Sequence, residues 1–261
     1  IDLLRDSISI WRESVKSDPE FAKAHYNLGV ANDWDGNIED ALFRYQKAIS
    51  LNPELIGAAA HFNIARLFWE NYKDETRTLS ELEKAKQINP NIPEIYNLEG
   101  LAYSNKKESY SKEAELYQKA IDLNKENAPP VFYSNLCIAK FYLNQLEDAQ
   151  AAGEKSYQFY GEKEKFIGLL ETMAKIHYQK GENSEKFKNS TIAKIEFEKS
   201  VKYYKEVLLK DPENKGLLSG YGNALIKLNS YNYAMQIFRR VIRIYPEDPM
   251  AYQKIAECLV A

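Results

Sequence analysis

The sequence is poor in the residues that build loops, staples and reactive centres. It has 11 glycines and 9 prolines among 261 residues, and the prolines fall between apolar-periodic stretches, where they punctuate helices. The two cysteines, Cys137 and Cys258, lie far apart inside helical apolar patterns. They read as small buried hydrophobes, because a disulfide framework or metal site needs clustered partners. The three histidines, His25, His61 and His177, lack acidic or cysteine partners at ligand spacing and read as packing residues. No run of about 18 apolar residues occurs, so no direct membrane insertion is expected. A net charge of only −3 gives no field that favours nucleic acid or anionic lipid. Gly-rich phosphate loops, zinc motifs and hydrolase elbows are missing, so no cofactor and no enzymatic activity are expected. The acidic stretch Asp33–Asp40 resembles a calcium loop only superficially, since the first and twelfth ligand positions fall on Ala31 and Leu42.

What is present is a folded-protein composition, 44% hydrophobic and 28% charged. Abundant Lys, Asn, Ile and Tyr point to an AT-rich, bacterial genome. The chain starts at Ile1 in mid-pattern, as a piece of a longer protein would. Localisation therefore stays open, with the cytoplasm slightly favoured over the periplasm.

The dominant signal is internal repetition. Residues 25–53, HYNLGVANDWDGNIEDALFRYQKAISLNP, align with residues 218–246, LSGYGNALIKLNSYNYAMQIFRRVIRIYP. His25, Leu28 and Gly29 match Leu218, Tyr221 and Gly222; Ala41 and Tyr45 match Ala234 and Phe238; Pro53 matches Pro246. Further units carry Phe62, Ile64, Ala65, Leu82 and Ala85, then Leu98, Gly100, Tyr117 and Ala120, then Leu136, Cys137, Ala149 and Ser156. A fifth runs from Met173, Ala174 and Gly181 to Tyr204, Val207 and Pro212. Residues 1–19 look like the second helix of an incomplete unit, with Trp11 in the aromatic slot, and residues 249–261 supply a terminal capping helix.

On these residues the chain resembles the tetratricopeptide repeat, a helix–turn–helix unit of about 34 residues. The resemblance covers essentially the whole chain. It implies an all-α fold, an α-α superhelix or solenoid of about six helical hairpins plus terminal helices. Small residues such as Gly29, Ala65, Cys137, Ala174 and Gly222 are expected where the helices of one hairpin meet, with aromatics filling the remaining space.

Two irregularities are expected. Pro19, Pro53 and Pro90 are spaced 34 and 37 apart, placing a short insertion near Leu55–Ala58. In the fifth unit about 14 extra residues, ENSEKFKNSTIAKI, predict a polar loop and an elongated second helix of roughly 20 residues. That stretch, 182–195, lies within a C-terminal region 164–261, distinct from an N-terminal region 1–163 that carries the candidate groove. Arg239, Arg240 and Arg243 form a small basic patch, read as solvated surface.

Aligned on the small residue, four consecutive first helices carry an asparagine: Asn27, Asn63, Asn97 and Asn135. The later ones carry Thr172, Gly220 and Lys254. An amide offers two donors and an acceptor, so a ladder of them can pair with the backbone of an extended peptide. The superhelical domain of O-linked GlcNAc transferase, to which this chain is similar, uses such a ladder. Trp34, Arg66, Trp69 and Tyr96 are the expected exposed anchors, Arg66 meeting a carboxylate or stacking on a ring. The carboxylate clamp of heat-shock co-chaperones is not expected, because Tyr26, Val30 and Pro93 stand where it needs polar or basic residues.

The expectation is thus a non-enzymatic scaffold or adaptor that binds a partner protein or extended peptide in a concave groove, within a multiprotein assembly. Two alternatives stay open: the regulatory or substrate-recruiting arm of a larger enzyme, and a self-assembling homo-oligomer.

Overall fold

The computed structural model describes residues 2–104, 109–160 and 166–261. Among them every regular element is a helix, and none is long and apolar enough to cross a membrane. By internal packing the chain forms two units, Ile1–Ala128 and Pro129–Ala261. The functional division expected at 163/164 falls at residues 161–165, outside the described ones.

The first unit holds α1 (Asp2–Ser17), α2 (Ala22–Trp34), α3 (Ile38–Leu51), α4 (Pro53–Leu67), α5 (Glu75–Ile88), α6 (Pro93–Tyr103) and α7 (Tyr110–Asn124). After α1, consecutive helices pair as hairpins α2–α3, α4–α5 and α6–α7. α1 lays Ile8, with Trp11 and Val15 partly covered, on Leu28 and Ala31 of α2. The second helix of one hairpin packs on the first helix of the next. Ala41, Tyr45 and Ala48 thus share a core with Ile56, Ala60 and Ile64. Leu82 and Ala85 do the same with Ile95 and Leu98. Two of the starts are set by side-chain caps. Asn52 accepts from the Leu55 N–H at 3.1 Å ahead of Pro53, and Asp74 accepts from Arg77 N–H at 2.9 Å.

The second unit holds α8 (Pro130–Tyr142), α9 (Leu146–Phe159), α10 (Ile167–Lys186), α11 (Ser190–Leu208), α12 (Lys215–Lys227), α13 (Tyr231–Ile244) and α14 (Pro249–Val260). Its hairpins are α8–α9, α10–α11 and α12–α13, with α14 packed on α13 through Ala251 and Cys258.

Four hairpin turns share one geometry. Gly36, Asn144, Lys188 and Asn229 are left-handed, with φ of 79°, 59°, 58° and 55°. Each donates its N–H three residues back, and the following residue donates five back, closing the first helix as in a Schellman motif. The left-handed residue stands seven places after the small residue of its hairpin: Gly29, Cys137, Gly181 and Gly222. In the second hairpin the gap from Ala65 to Lys73 (φ 52°) is one longer, and the added residue is taken up by a π-helical turn, Phe68–Tyr72. The rest of the extra length expected near Leu55–Ala58 continues α4 at its N-terminus, where Pro53 is already helical.

The same ruler corrects the fifth hairpin. Residues 182–186 are helical, not a polar loop, and the turn at 187–189 is an ordinary one. α10 has 20 residues and α11 has 19, and the excess lies at the opposite end of the hairpin: the start of α10 and the end of α11. The close glycine–aromatic contact confirms the register. A Cβ on Gly29 would come within 2.8 Å of Tyr45, on Gly100 within 2.5 Å of Tyr117, and on Gly222 within 2.6 Å of Phe238. In the fifth hairpin Gly181 meets Phe197 at 2.6 Å, so Gly181, and not Ala174, is the small residue of the repeat.

The fourth hairpin inverts this contact. Gly153 occupies the aromatic slot, opposite Cys137, and the vacant volume is filled by the Met173 side chain of α10. Burial pushes the Cys137 thiol up to about 12, so it stays protonated at neutral pH and acts as packing. A methyl on Gly153 would collide with Met173 Sδ and lie 3.0 Å from Cys137 Sγ. Gly153→Ala is expected to cost about 1–3 kcal/mol by overpacking. In the background of Met173→Ala the same change should be nearly free, because its methyl enters the space the thioether left. A double-mutant cycle in urea checks this, and additive effects would contradict it.

Candidate functional site

The first helices of unit one, α2, α4 and α6, carry Asn27 and Asn63 two residues before Gly29 and Ala65, and Asn97 three residues before Gly100; all three asparagines are half-buried. They differ in what they hold. The Asn63 amide donates to the Tyr26 hydroxyl at 3.1 Å, joining α4 to α2, while the Tyr26 ring rests 5.6 Å from that of Tyr45. The Asn27 amide has no partner among the described residues. Asn135, on α8 of the second unit, is 8% exposed.

The expected anchors separate into one exposed ring and three engaged side chains. Trp34, seven residues after Asn27 and so on the same face of α2, is 76% exposed. Arg66 donates to Asp33 and, at 2.7 Å, to Glu70. Burial opposes its charge, but the two carboxylates outweigh that and raise its pKa. Its expected carboxylate partners are therefore within the chain, and it is not free for a ligand. Trp69 sits in the π-helical turn, packed against the core that α4, α5 and α6 share, with Lys73 Nζ 5.5 Å from its ring. Tyr96 departs from the expectation of exposure: it is 4% exposed and donates to the Pro90 carbonyl at 2.7 Å, with Lys119 Nζ 4.2 Å over its ring. A large ring at this repeat position fills the space between hairpin helices, so burial of its face stabilises it more than exposure would.

The histidines also depart from the sequence expectation. All three occupy one repeat position, four residues before Gly29, Ala65 and Gly181, and each faces the residue just before the large apolar slot of its second helix. His61 Nδ1 lies 2.6 Å from Glu81, His177 Nδ1 lies 2.6 Å from Glu196, and His25 faces Arg44 at 3.4 Å while bonding the Pro19 carbonyl at 3.1 Å. The carboxylates are 19 and 20 residues away in sequence, beyond any local ligand spacing. The repeat period was the signal that could have found them.

The corrected register of the fifth hairpin exposes one more missed residue. The place equivalent to the asparagines is Gln179, two before Gly181, and not Thr172, which is buried. Gln179 is half-buried and supplies the same amide chemistry.

Helical hairpins of this period, each burying a glycine or alanine against a partner helix and stacked second helix to first, define a repeat scaffold. The chain carries tetratricopeptide repeats. Family models described as tetratricopeptide repeat match residues 22–55 and 196–258. Among solved structures, Pseudomonas aeruginosa PilF is similar at 18% identity, with 90% of this chain and 96% of that one covered and a TM-score of 0.66. PilW, a type IV pilus biogenesis factor, is similar at 14% identity, 91% and 98% coverage and a TM-score of 0.62. YrrB, a TPR protein with an unusual peptide-binding site, is similar at 17% identity, 80% and 96% coverage and a TM-score of 0.61. At these identities the likeness is one of fold, the α-α superhelix of these repeats. No curated protein matches the sequence. Repeats of this kind are protein-interaction scaffolds, generally without catalysis of their own, and bind protein partners or peptides.

Proposed function

We propose that this chain is a non-enzymatic adaptor that holds an extended segment of a partner protein across the first helices of its N-terminal repeats, within a multiprotein assembly. The observation that carries this reading is on α2. Asn27 presents an amide with no partner among the described residues, and the 76%-exposed Trp34 stands two turns further along the same face. An unpaired amide can take the backbone N–H and C=O of any extended peptide, and each such bond contributes about 0.5–1.5 kcal/mol net. An exposed tryptophan supplies the apolar anchor, the residue type most often found among interface hot spots. Asn63 and Asn97 continue the row on α4 and α6, although Asn63 also holds α4 to α2. The region 1–163 is proposed as the part that carries this face, and 164–261 as a part with a separate role.

The test is selection of unstructured 12-residue peptides from a display library, followed by titration of the enriched sequences. Asn27→Ala combined with Trp34→Ala is expected to weaken them at least about tenfold, corresponding to about 1.4 kcal/mol or more. The melting temperature should not change, since neither side chain has a partner among the described residues. Asn63→Ala should weaken binding too but also destabilise the protein by about 1 kcal/mol, through loss of the bond to Tyr26. Peptides retained at full affinity by the Asn27, Trp34 double variant would sink this reading.

A further inference from the structure

The added length of the fifth hairpin borders a trough of about 870 Å³. The end of α11 runs on beyond its repeat length and shares that border with α9, α12 and α13. Its floor is apolar, formed by Val201 and Leu208 on α11, Tyr221 on α12 and Ile237 on α13, all only partly covered. Leu209, at the lip, is 85% exposed. From Glu198 to Leu209 the trough follows about 16 Å of helix. That is three turns, the length over which a docked helix presents side chains at i, i+3, i+4 and i+7.

The charge around this floor runs against that of the whole protein. Three cations, Lys202, Lys205 and Arg240, line the trough against two carboxylates, Glu198 and Glu206, and α13 as a whole carries three arginines and no acid, in a chain of net charge −3. Of the two carboxylates, Glu206 accepts the Tyr157 hydroxyl at 3.0 and 3.3 Å, and Glu198 is exposed at the far end of the trough. The cations are less occupied. Lys205 is exposed with no partner among the described residues, and Lys202 lies 6.0 Å over the Tyr157 ring. Arg240 gives one N–H to the Pro212 carbonyl at 2.7 Å and keeps its others. Arg243, one turn further along α13, is exposed on the same side. An apolar floor of helical length whose rim carries more cations than carboxylates is complementary to a helix whose apolar stripe is flanked by Asp and Glu.

We propose that this trough docks an acidic amphipathic helix of a partner protein. It is a second site, in the second unit, with no residue in common with the peptide face on α2, α4 and α6. The elongation of α11 is what makes it, by carrying Lys205, Leu208 and Leu209 past the point where α3 and α13 stop relative to their own repeats.

The experiment uses the whole chain and a display library of helix-stabilised 14-residue peptides, with enriched sequences titrated by fluorescence anisotropy. Enriched peptides are expected to place Leu, Ile or Phe at helical spacing with an excess of Asp and Glu beside them. Their affinity should fall at least about tenfold in Lys205→Glu and in Leu209→Asp, and should weaken steadily as salt is raised. Both positions are exposed, so the variants should melt like the parent. Asn27→Ala should leave this binding intact, which separates failure here from failure of the peptide face. Enriched peptides that are neutral or basic, or binding untouched by both variants, would overturn the proposal. So would self-association of the parent chain that Leu209→Asp abolishes, which assigns the trough to a second copy. Lys205-dependent sedimentation with phosphatidylserine vesicles would assign it to a membrane surface and overturn it equally.

Discussion

Phe197→Ala is expected to lower stability by about 3–5 kcal/mol, the largest loss available from a single side chain in the fifth hairpin. The ring is 1% exposed and fills the space that Gly181 leaves, while Tyr178 packs at 5.5 Å on its other side. Repeat numbering from sequence puts Tyr204, seven residues later, in that role. Tyr204 is also buried, but it meets Gly220 of α12 and so joins two hairpins instead of closing one. The two assignments make different double-mutant cycles. Gly181→Ala should couple strongly to Phe197→Ala and negligibly to Tyr204→Ala, whereas Gly220→Ala should couple to Tyr204→Ala. Urea unfolding followed by circular dichroism measures each. A loss below about 1 kcal/mol for Phe197→Ala would return the register to the one expected from sequence.

His177→Ala is expected to cost about 3 kcal/mol, because it leaves the buried Glu196 carboxylate with Lys199 as its remaining partner at 3.1 Å. It also removes a ring that stacks on Tyr203, at 5.4 Å and 5°. The pair makes stability depend on pH in one direction. Burial lowers the His177 pKa below 6.5 more than Glu196 raises it, so the unfolded chain binds the proton more readily. Stability from this group is complete above pH 6.5 and is lost as pH falls from there to the lowered value. Burial pushes the Glu196 carboxyl upward, but hydrogen bonds from His177 and Lys199 more than offset that and hold it below 4.5. Its contribution is present above pH 4.5 and is lost as pH falls through the depressed value. Both groups therefore destabilise the fold in acid. The melting temperature should drop between pH 7 and 5, and His177→Asn should flatten that drop; an unchanged slope would count against the assignment.

The repeat and its helices were legible because each unit writes the same short-range chemistry again. A glycine or alanine, an alanine and aromatic four apart and a terminating proline must recur for hairpins of one shape to stack. Positions with one strong packing demand, such as Gly29 with Tyr45 or Gly222 with Phe238, align without ambiguity. The fifth hairpin defeated that alignment because both Ala174 and Gly181 are small and both Phe197 and Tyr204 are aromatic. The left-handed turn at Lys188 and the close approach of Gly181 to Phe197 show which pair belongs together. The candidate site was legible as residue types but not as free groups. Asn27 and Asn63 look identical in sequence, and the difference between them is a tyrosine hydroxyl on the neighbouring helix. Arg66 and Tyr96 read as anchors until the carboxylates and the carbonyl that engage them are placed.

The sequence by itself determined the all-α repeat, its period and the row of asparagines, since these follow from helix periodicity and from contacts whose spacing is constant along the chain. Tertiary structure decided where the extra length of the fifth hairpin falls, which charged residues face the three histidines, and which amides and rings remain unoccupied. The physical reason is common to all three. Side chains 16 to 49 residues apart meet across helices, and small shifts in helix length choose the partner, so local pattern alone leaves the pairing undetermined.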